Sequence, residues 1–493
     1  MMSDDLLLPV LLCELGERLL SMREMLTQPS VAAKPQARAV AAVLARGLDA
    51  LEDRIQREVL DAADVFEPAA SEQQRAALSR SLAILADCGR ALQVLHARLG
   101  LLDMRGDVAP VDIFLRKLRE DMEAAPLGPG PASQGRLPTL PSPTVVLADD
   151  YDALDDDVAT RLYVDLAAVD AGLAADVGSL DEPIIALPRL EAADPLSWPL
   201  LLGTLARAYV HDRRERSDPA GIHRRALRGW RESDTLVGPV AAVCLGGPAV
   251  FAVRSAMALL FTPADTPARP PSDWSIEIAA RACAGGLEDA PDPSQAPAAG
   301  IVSTYHGLLS ARDEALGLAV SSGWGGYAPD DPARPWVELG LPRPDVPTAA
   351  ETADLLDKLV AGTPINAIAP PVPDDFVQRL ERMDSARDFY DLIAPLGERP
   401  ASLAAILGVG WLYKAQYSYP LFRDLLRDRR ALRPVLELYR PHLLQRNDIL
   451  LQSIEAAHVQ GIFTRAAEGT RQAGQAGQSS VRIVESEEGE DAP

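Results

Sequence analysis

Residues 196 to 208 read Leu196-Ser197-Trp198-Pro199-Leu200-Leu201-Leu202-Gly203-Thr204-Leu205-Ala206-Arg207-Ala208. Pro199 suits the first turn of a helix, where a missing N–H leaves no intrahelical bond unmade. The leucine-rich run after it is too apolar for a surface helix and predicts a buried one from Leu200 to Val210. Gly203, Thr204 and Arg207 interrupt that run, and the four-residue step from Gly203 to Arg207 sets them one turn apart. Upstream lies Pro188 to Asp194, preceded by Ile184 to Leu187. Downstream the chain turns abruptly to charge at His211-Asp212-Arg213-Arg214-Glu215-Arg216.

The surroundings of this stretch are helical. Pro239 to Phe261 is apolar apart from Arg254 and is interrupted by Gly246-Gly247-Pro248, which predicts a buried helical hairpin, with Gly-Pro ending one helix and starting the next. From Asp4 to about Met122 four helices are expected, with breaks at Gln28-Pro29, Glu67-Pro68 and Gly106 to Pro110. The second carries Leu44, Leu48, Leu51, Ile55 and Val59. The third carries Leu78, Leu85, Leu92 and Leu99 at every seventh residue, with Leu82, Gly89 and His96 beside them and Ser71 and Gln74 placed to cap its start. Such stripes suit an antiparallel bundle or a short coiled coil. His96, on the apolar seam, is expected to be a packed, hydrogen-bonded core residue.

Nine prolines and glycines between Ala124 and Pro143 mark a linker, because such a segment has few side chains to bury. The expected organisation is therefore a helical bundle over residues 1–123, a linker over 124–143, a core over 144–290, a C-terminal helical region over 291–466 and a disordered acidic tail over 467–493. Thr144 to Ala148 reads as a short strand and Asp157 to Val177 as a helix. The acidic loop between them (Asp149, Asp150, Asp152, Asp155 to Asp157) lacks the glycine and the closing glutamate of a calcium loop, so it is expected to be solvated.

The 493 residues carry a formal charge of −23, with 71 Asp and Glu against 48 Lys and Arg. Such a surface repels phosphate backbones, so no nucleic acid is expected as a partner. The only four lysines (Lys34, Lys117, Lys358, Lys414) and the abundance of Ala, Arg and Pro suggest a GC-rich bacterial genome. The cysteines, Cys13, Cys88, Cys244 and Cys283, form no CxxC pair and suggest neither a disulfide framework nor a zinc ribbon. The opening Ser3-Asp4-Asp5 is unlike a basic signal-peptide start, and no membrane span is expected, so the location is read as cytoplasmic.

The 196–208 phrase resembles the active-site helix of bacterial and archaeal zincin-like metallopeptidases, in which a Trp-Pro lead-in precedes a His-Glu-x-x-His motif. The resemblance places Gly203 and Arg207 where the two zinc-binding histidines would stand and Thr204 where the catalytic glutamate would stand. Downstream, Trp230-Arg231-Glu232-Ser233-Asp234-Thr235-Leu236 resembles the segment that supplies the third ligand, and either Glu232 or Asp234 would fall at that place. Gly247-Pro248-Ala249 resembles the helix start that follows, whereas the loop Pro263 to Pro271 lacks the His-Pro pair often found there. The resemblance spans roughly Thr144 to Cys283. Glycine has no ligating atom, threonine is too weakly basic to activate water, and a guanidinium is a fixed cation, so a degenerate member without zinc or other cofactor is implied. Glu232 or Asp234 is then available to pair with Arg207.

No catalytic residue is assigned elsewhere. A Gly-x-Ser-x-Gly elbow is absent, Ser321 to Tyr327 lacks the context of a phosphate loop, His211 and His223 are not spaced as a zinc pair, and His306 is expected at a surface or a helix start. Arg213, Arg214, Arg216, Arg224, Arg225 and Arg228 form the one concentration of positive charge. They read as a docking face for an acidic partner, as a solvated connecting segment, or as a seat for the chain's own Glu485 to Asp491. Further helices are expected at Ala349–Val360, Asp374–Ile393, Leu403–Leu426 and Pro441–Ala466. Trp411, Tyr413, Tyr417, Tyr419 and Phe422 are expected to pack them on the core.

The sequence thus predicts a mainly α fold: an N-terminal bundle, a zincin-like helical domain with minimal β, and C-terminal helices. Its leading functional expectation is a non-catalytic scaffold or regulatory module that binds protein partners, with homo-oligomerisation through the N-terminal helices. The alternatives are a hydrolase with a different active site and a helical structural protein unrelated to zincins.

Overall fold

The computed structural model describes residues 6–62, 71–102, 108–123, 143–151, 184–205, 245–265, 297–318 and 401–487, and short pieces at 166, 168–169, 242–243, 276–277 and 279–280. The fold is mainly α, and among the described residues the strands are two. In chain order the elements are α1 (Leu7–Leu26), α2 (Pro29–Ala33), α3 (Pro35–Ile55), a π-helical turn (Gln56–Leu60), α4 (Glu72–His96), a 3-10 turn (Leu99–Leu102) and α5 (Ala109–Glu123). Then follow β1 (Thr144–Ala148), β2 (Ile184–Pro188), α6 (Arg189–Ala192), a 3-10 turn (Pro195–Leu200) and helical residues 201–205. The rest are α7 (Pro248–Phe261), α8 (Pro297–Ala315), α9 (Leu403–Tyr413), a π-helical turn (Lys414–Ser418), α10 (Tyr419–Arg429) and α11 (Leu432–Glu487).

The stripes read from sequence become the buried faces. On α3 and the turn after it, Leu44, Leu48, Leu51, Ile55 and Val59 are buried, and on α4 Leu82, Leu85 and Leu92 are, with Leu78 partly covered. Ser71 caps α4: its hydroxyl accepts from the Gln74 amide at 3.2 Å while the Gln74 side chain accepts from the Ser71 amide at 2.8 Å. These reciprocal bonds satisfy two donors that the helix start leaves open. Gly89 allows α4 to approach α7 closely, because a β-carbon there would clash with the carbonyl oxygen of Leu260.

The N-terminal helices do not bury their stripes only among themselves. Helix α1 packs on α4 and also on α10 and α11, so one apolar core runs from Leu7 through Leu187, Trp198 and Phe251 to Ala457. Strands β1 and β2 pair in parallel, Thr144 opposite Ile184 and Ala148 opposite Pro188. Parallel strands need a crossover. The helix expected there from Asp157 lies outside the described residues except at 166 and 168–169, which are helical.

The glycine-proline hinge forms as expected. Gly247 adopts φ +62°, a conformation open to glycine at little cost, and Pro248 takes the first turn of α7. Among the described residues no helix is long and apolar enough to cross a membrane.

Three boundaries differ from expectation. Helix α11 begins at Leu432, not near Pro441, so that proline sits inside the helix. It continues through Glu487, so most of the stretch expected to be a disordered tail is helical. His306 lies in the middle of α8, not at a helix start, and is half-buried with Nδ1 3.0 Å from a carboxylate oxygen of the fully buried Glu277. The stretches 319–400 and 488–493, with two expected helices and the glycine-rich loop, are outside the described residues.

Candidate functional site: a buried ionic core

The helix that singles out this chain is buried where it is described. Trp198, Leu200, Leu201, Leu202 and Leu205 are at most 1 % exposed, Thr204 is buried and Gly203 is half-buried. Its lead-in is fixed by polar bonds: Trp198 Nε1 donates to the Ala192 carbonyl at 3.1 Å and Asp194 accepts from the Leu196 amide at 3.1 Å. Phe114 of α5 meets Trp198 edge to face at 5.7 Å. Arg207, Glu232, Asp234, Arg213, Arg214, Arg216, Arg224, Arg225 and Arg228 lie outside the described residues, as do His211 and His223. Among the described residues no group of three or more His, Cys, Asp or Glu could hold a metal ion.

Directly behind this lead-in stands a cluster of buried charge. Helix α1 supplies Glu14, Glu17 and Arg18, all inside its apolar face. The π-helical turn supplies Lys414, 1 % exposed, whose Nζ meets Glu14 and lies 2.8 Å from Glu17 Oε2. Arg446 of α11 binds both oxygens of Glu17, at 2.7 and 3.2 Å, and reaches Asp194 at 3.4 Å. Arg18 completes the chain, with Nη1 2.9 Å from Glu14 and Nε 2.8 Å from Glu191. Hydroxyls fill the remaining acceptor sites: Tyr419 donates to Glu14 at 2.7 Å, Tyr439 to Glu17 at 2.7 Å, Tyr151 to Glu191 at 2.6 Å and Ser197 to Glu191 at 2.5 Å. Tyr305 and Tyr419 share a bond of 2.6 Å.

Four carboxylates therefore face three fixed cations. Burial pushes the Glu17 carboxyl up, but Arg446 and Lys414 outweigh it and hold it well below the usual range. Glu191 is lowered in the same way, with Arg18, Ser197 and Tyr151 overcoming its burial. Asp194 goes up, because burial is not fully offset by Arg446. Burial alone would push the Lys414 ammonium down, yet Glu14 and Glu17 outweigh it and raise it. A lysine kept charged is a poor nucleophile, and carboxylates already saturated with donors are poor bases. The cluster is suited to fixing four elements to one another, since removing one partner of a buried pair costs about 3–5 kcal/mol.

Two other histidines bear on chemistry. Ser418 Oγ lies 3.1 Å from His442 Nε2, the pairing of a nucleophile and a base, but Ser418 is fully buried. Burial, aided by Arg446, pushes the His442 imidazole down to about 4, and Tyr413 stacks on its ring at 5.9 Å. His96 is buried as expected, but it is not hydrogen-bonded: neither ring nitrogen has a partner. The aromatic stripe does pack the C-terminal helices on the core. Trp411 Nε1 donates to the Leu196 carbonyl at 3.1 Å, and Tyr419 and Phe422 are fully buried.

Sequence reasoning missed the ionic core, although two signals were present. Glu14, Glu17 and Arg18 stand within the otherwise apolar Leu6 to Leu20, and Lys414 stands within the apolar run from Leu403 to Ala415. Two of the four lysines, Lys117 and Lys414, prove to be 1 % exposed. No protein-family model, no curated protein and no solved structure matches the chain.

Proposed function

We propose that this chain is a non-catalytic, zincin-like protein that acts in the cytoplasm as a scaffold or regulatory module for protein partners. The observation that carries the proposal is the buried 201–205 helix, which bears Gly203 and Thr204, the residues that the resemblance would set at the places of a zinc ligand and of the catalytic glutamate. Neither side chain supplies a ligand or a base of the required strength. The ionic core behind that helix supports the same reading, because its charged groups are spent on one another and leave none poised for catalysis. In this proposal Arg207 pairs with Glu232 or Asp234, and the arginines from Arg213 to Arg228 offer a face to an acidic partner. Homo-oligomerisation through the N-terminal helices belongs to the same proposal and uses their outer faces, since their inner stripes are covered by this chain.

Elemental analysis of the purified full-length protein tests the proposal directly. Sub-stoichiometric zinc, and no peptide hydrolysis that a chelator abolishes, is the expected result. Stoichiometric zinc, or chelator-sensitive hydrolysis, sinks it. Size-exclusion chromatography with light scattering reports on self-association.

A further inference from the structure

His96 ends α4 and is 0 % exposed, yet both of its ring nitrogens lack a partner. A neutral imidazole has one donor and one acceptor to satisfy, and burying them unpaired is unfavourable unless the surroundings give something in return. Those surroundings are aromatic. The ring meets Tyr151, just beyond β1, edge to face at 5.3 Å, and Tyr151 in turn meets Phe261 at the end of α7 at 5.0 Å. The Tyr151 hydroxyl is anchored on Glu191 of α6.

The charges that reach the ring come from the β1 end and from α6. Glu191, Asp149 and Asp150 favour a proton on it, and Arg189 disfavours one. Neither nearer carboxylate is free to receive an imidazolium. Glu191 already accepts from Arg18 of α1, from Tyr151 and from Ser197, and Asp149 accepts from Arg189 at 2.6 Å. The α7 ring of this aromatic group, Phe261, packs on Tyr151 and carries no charge. A protonated ring would hold a charge and two donors in this place with no acceptor for either.

We propose that His96 is an acid-responsive latch: neutral, it ties the end of α4 to the β1–α6 layer, and on taking a proton it leaves that packing and releases Tyr151. Burial keeps the folded ring at about 4 against an ordinary value of 6.5. The open form takes up a proton throughout that interval and the closed form does not. The open fraction therefore rises by up to about tenfold for each pH unit between those two values, fastest midway between them.

Hydrogen exchange on the full-length protein, corrected for the intrinsic pH dependence of exchange, tests the proposal. Amides of the last two turns of α4 and of residues 144–151 are expected to open roughly a hundredfold more on going from pH 6.5 to 4. In His96→Phe they stay closed, and amides of α11 show no difference between the two proteins. Histidine-selective NMR of the unaltered protein keeps the proposal testable if that variant fails to fold, because the signal missing from His96→Leu or His96→Gln identifies the ring. A His96 signal that titrates near 6.5 overturns the latch. So does opening of the α4 end to the same extent with and without the imidazole. Neither outcome touches the zinc-content test above.

Discussion

Helices α1 and α4 both lie in the common core, yet they are buried in opposite ways. Helix α4 places leucines every seventh residue against its neighbours and keeps its charges outside. Helix α1 buries Glu14, Glu17 and Arg18 along with its leucines, and each finds its partner on a distant element. Apolar surface is interchangeable: a leucine accepts any apolar neighbour of suitable shape, and its burial is worth roughly 1.5–3 kcal/mol whichever neighbour it meets. A buried carboxylate is not interchangeable. It needs particular donors at particular distances, so α1 fixes which elements stand where, and α4 supplies bulk stability.

The contrast can be broken first at Lys414. Replacing it by alanine leaves Glu14 and Glu17 buried with only Arg18 and Arg446 to offset them, and a loss of about 3–5 kcal/mol is expected from denaturant unfolding. Adding Glu17→Gln to Lys414→Met removes one charge of each sign, and this double variant should recover part of the loss. If Lys414→Ala unfolds at the same denaturant concentration as the unaltered chain, the ionic core does not hold the elements together.

Next in size is Gly89→Ala on α4. Its β-carbon meets backbone, the Leu260 carbonyl, which cannot step aside as a side chain would. Overpacking there should cost about 1–3 kcal/mol, and an unchanged midpoint would show that α4 and α7 have room to separate.

Acid should weaken the fold through His442 as well. Its folded value of about 4 lies below the ordinary 6.5, so above 6.5 neither state is protonated and its titration has no effect on stability. As pH falls from 6.5 to 4 the unfolded chain takes a proton that the folded chain refuses, and stability is lost. Between pH 7 and pH 5 the loss should be about 1–2 kcal/mol, and His442→Phe should remove it; urea midpoints at the two pH values measure the difference. The smallest effect belongs to the cap of α4. Ser71→Ala should cost about 1 kcal/mol, with fraying confined to the first turn in hydrogen exchange.

The same contrast explains what was legible in the sequence. Periodicity and local chemistry suffice for α3, α4, the Ser71 cap, β1 and the Gly247-Pro248 hinge, because each signal lies within a few residues of its effect. Pro441 misled because a proline that opens a helix and one tolerated inside it look alike until the preceding turn, here from Leu432, is known to be helical. The ionic core was illegible for a different reason. A glutamate in an apolar run signals that a partner exists, but its identity depends on the tertiary fold. Of the five residues that the resemblance would set at zinc positions, only Gly203 and Thr204 fall within the described structure, on a buried helix.

The bond between Glu17 and Arg446 spans 429 residues of chain. On a ribosome adding about 5–20 residues each second, Glu17 waits roughly 20–90 s for the second of its two cations, after Lys414. During that time α1 carries three charged groups, Glu14, Glu17 and Arg18, whose burial is unfavourable until their partners arrive. A chain cut before Arg446 has no means of neutralising Glu17 fully, so incomplete products should expose α1 and be open to proteolysis.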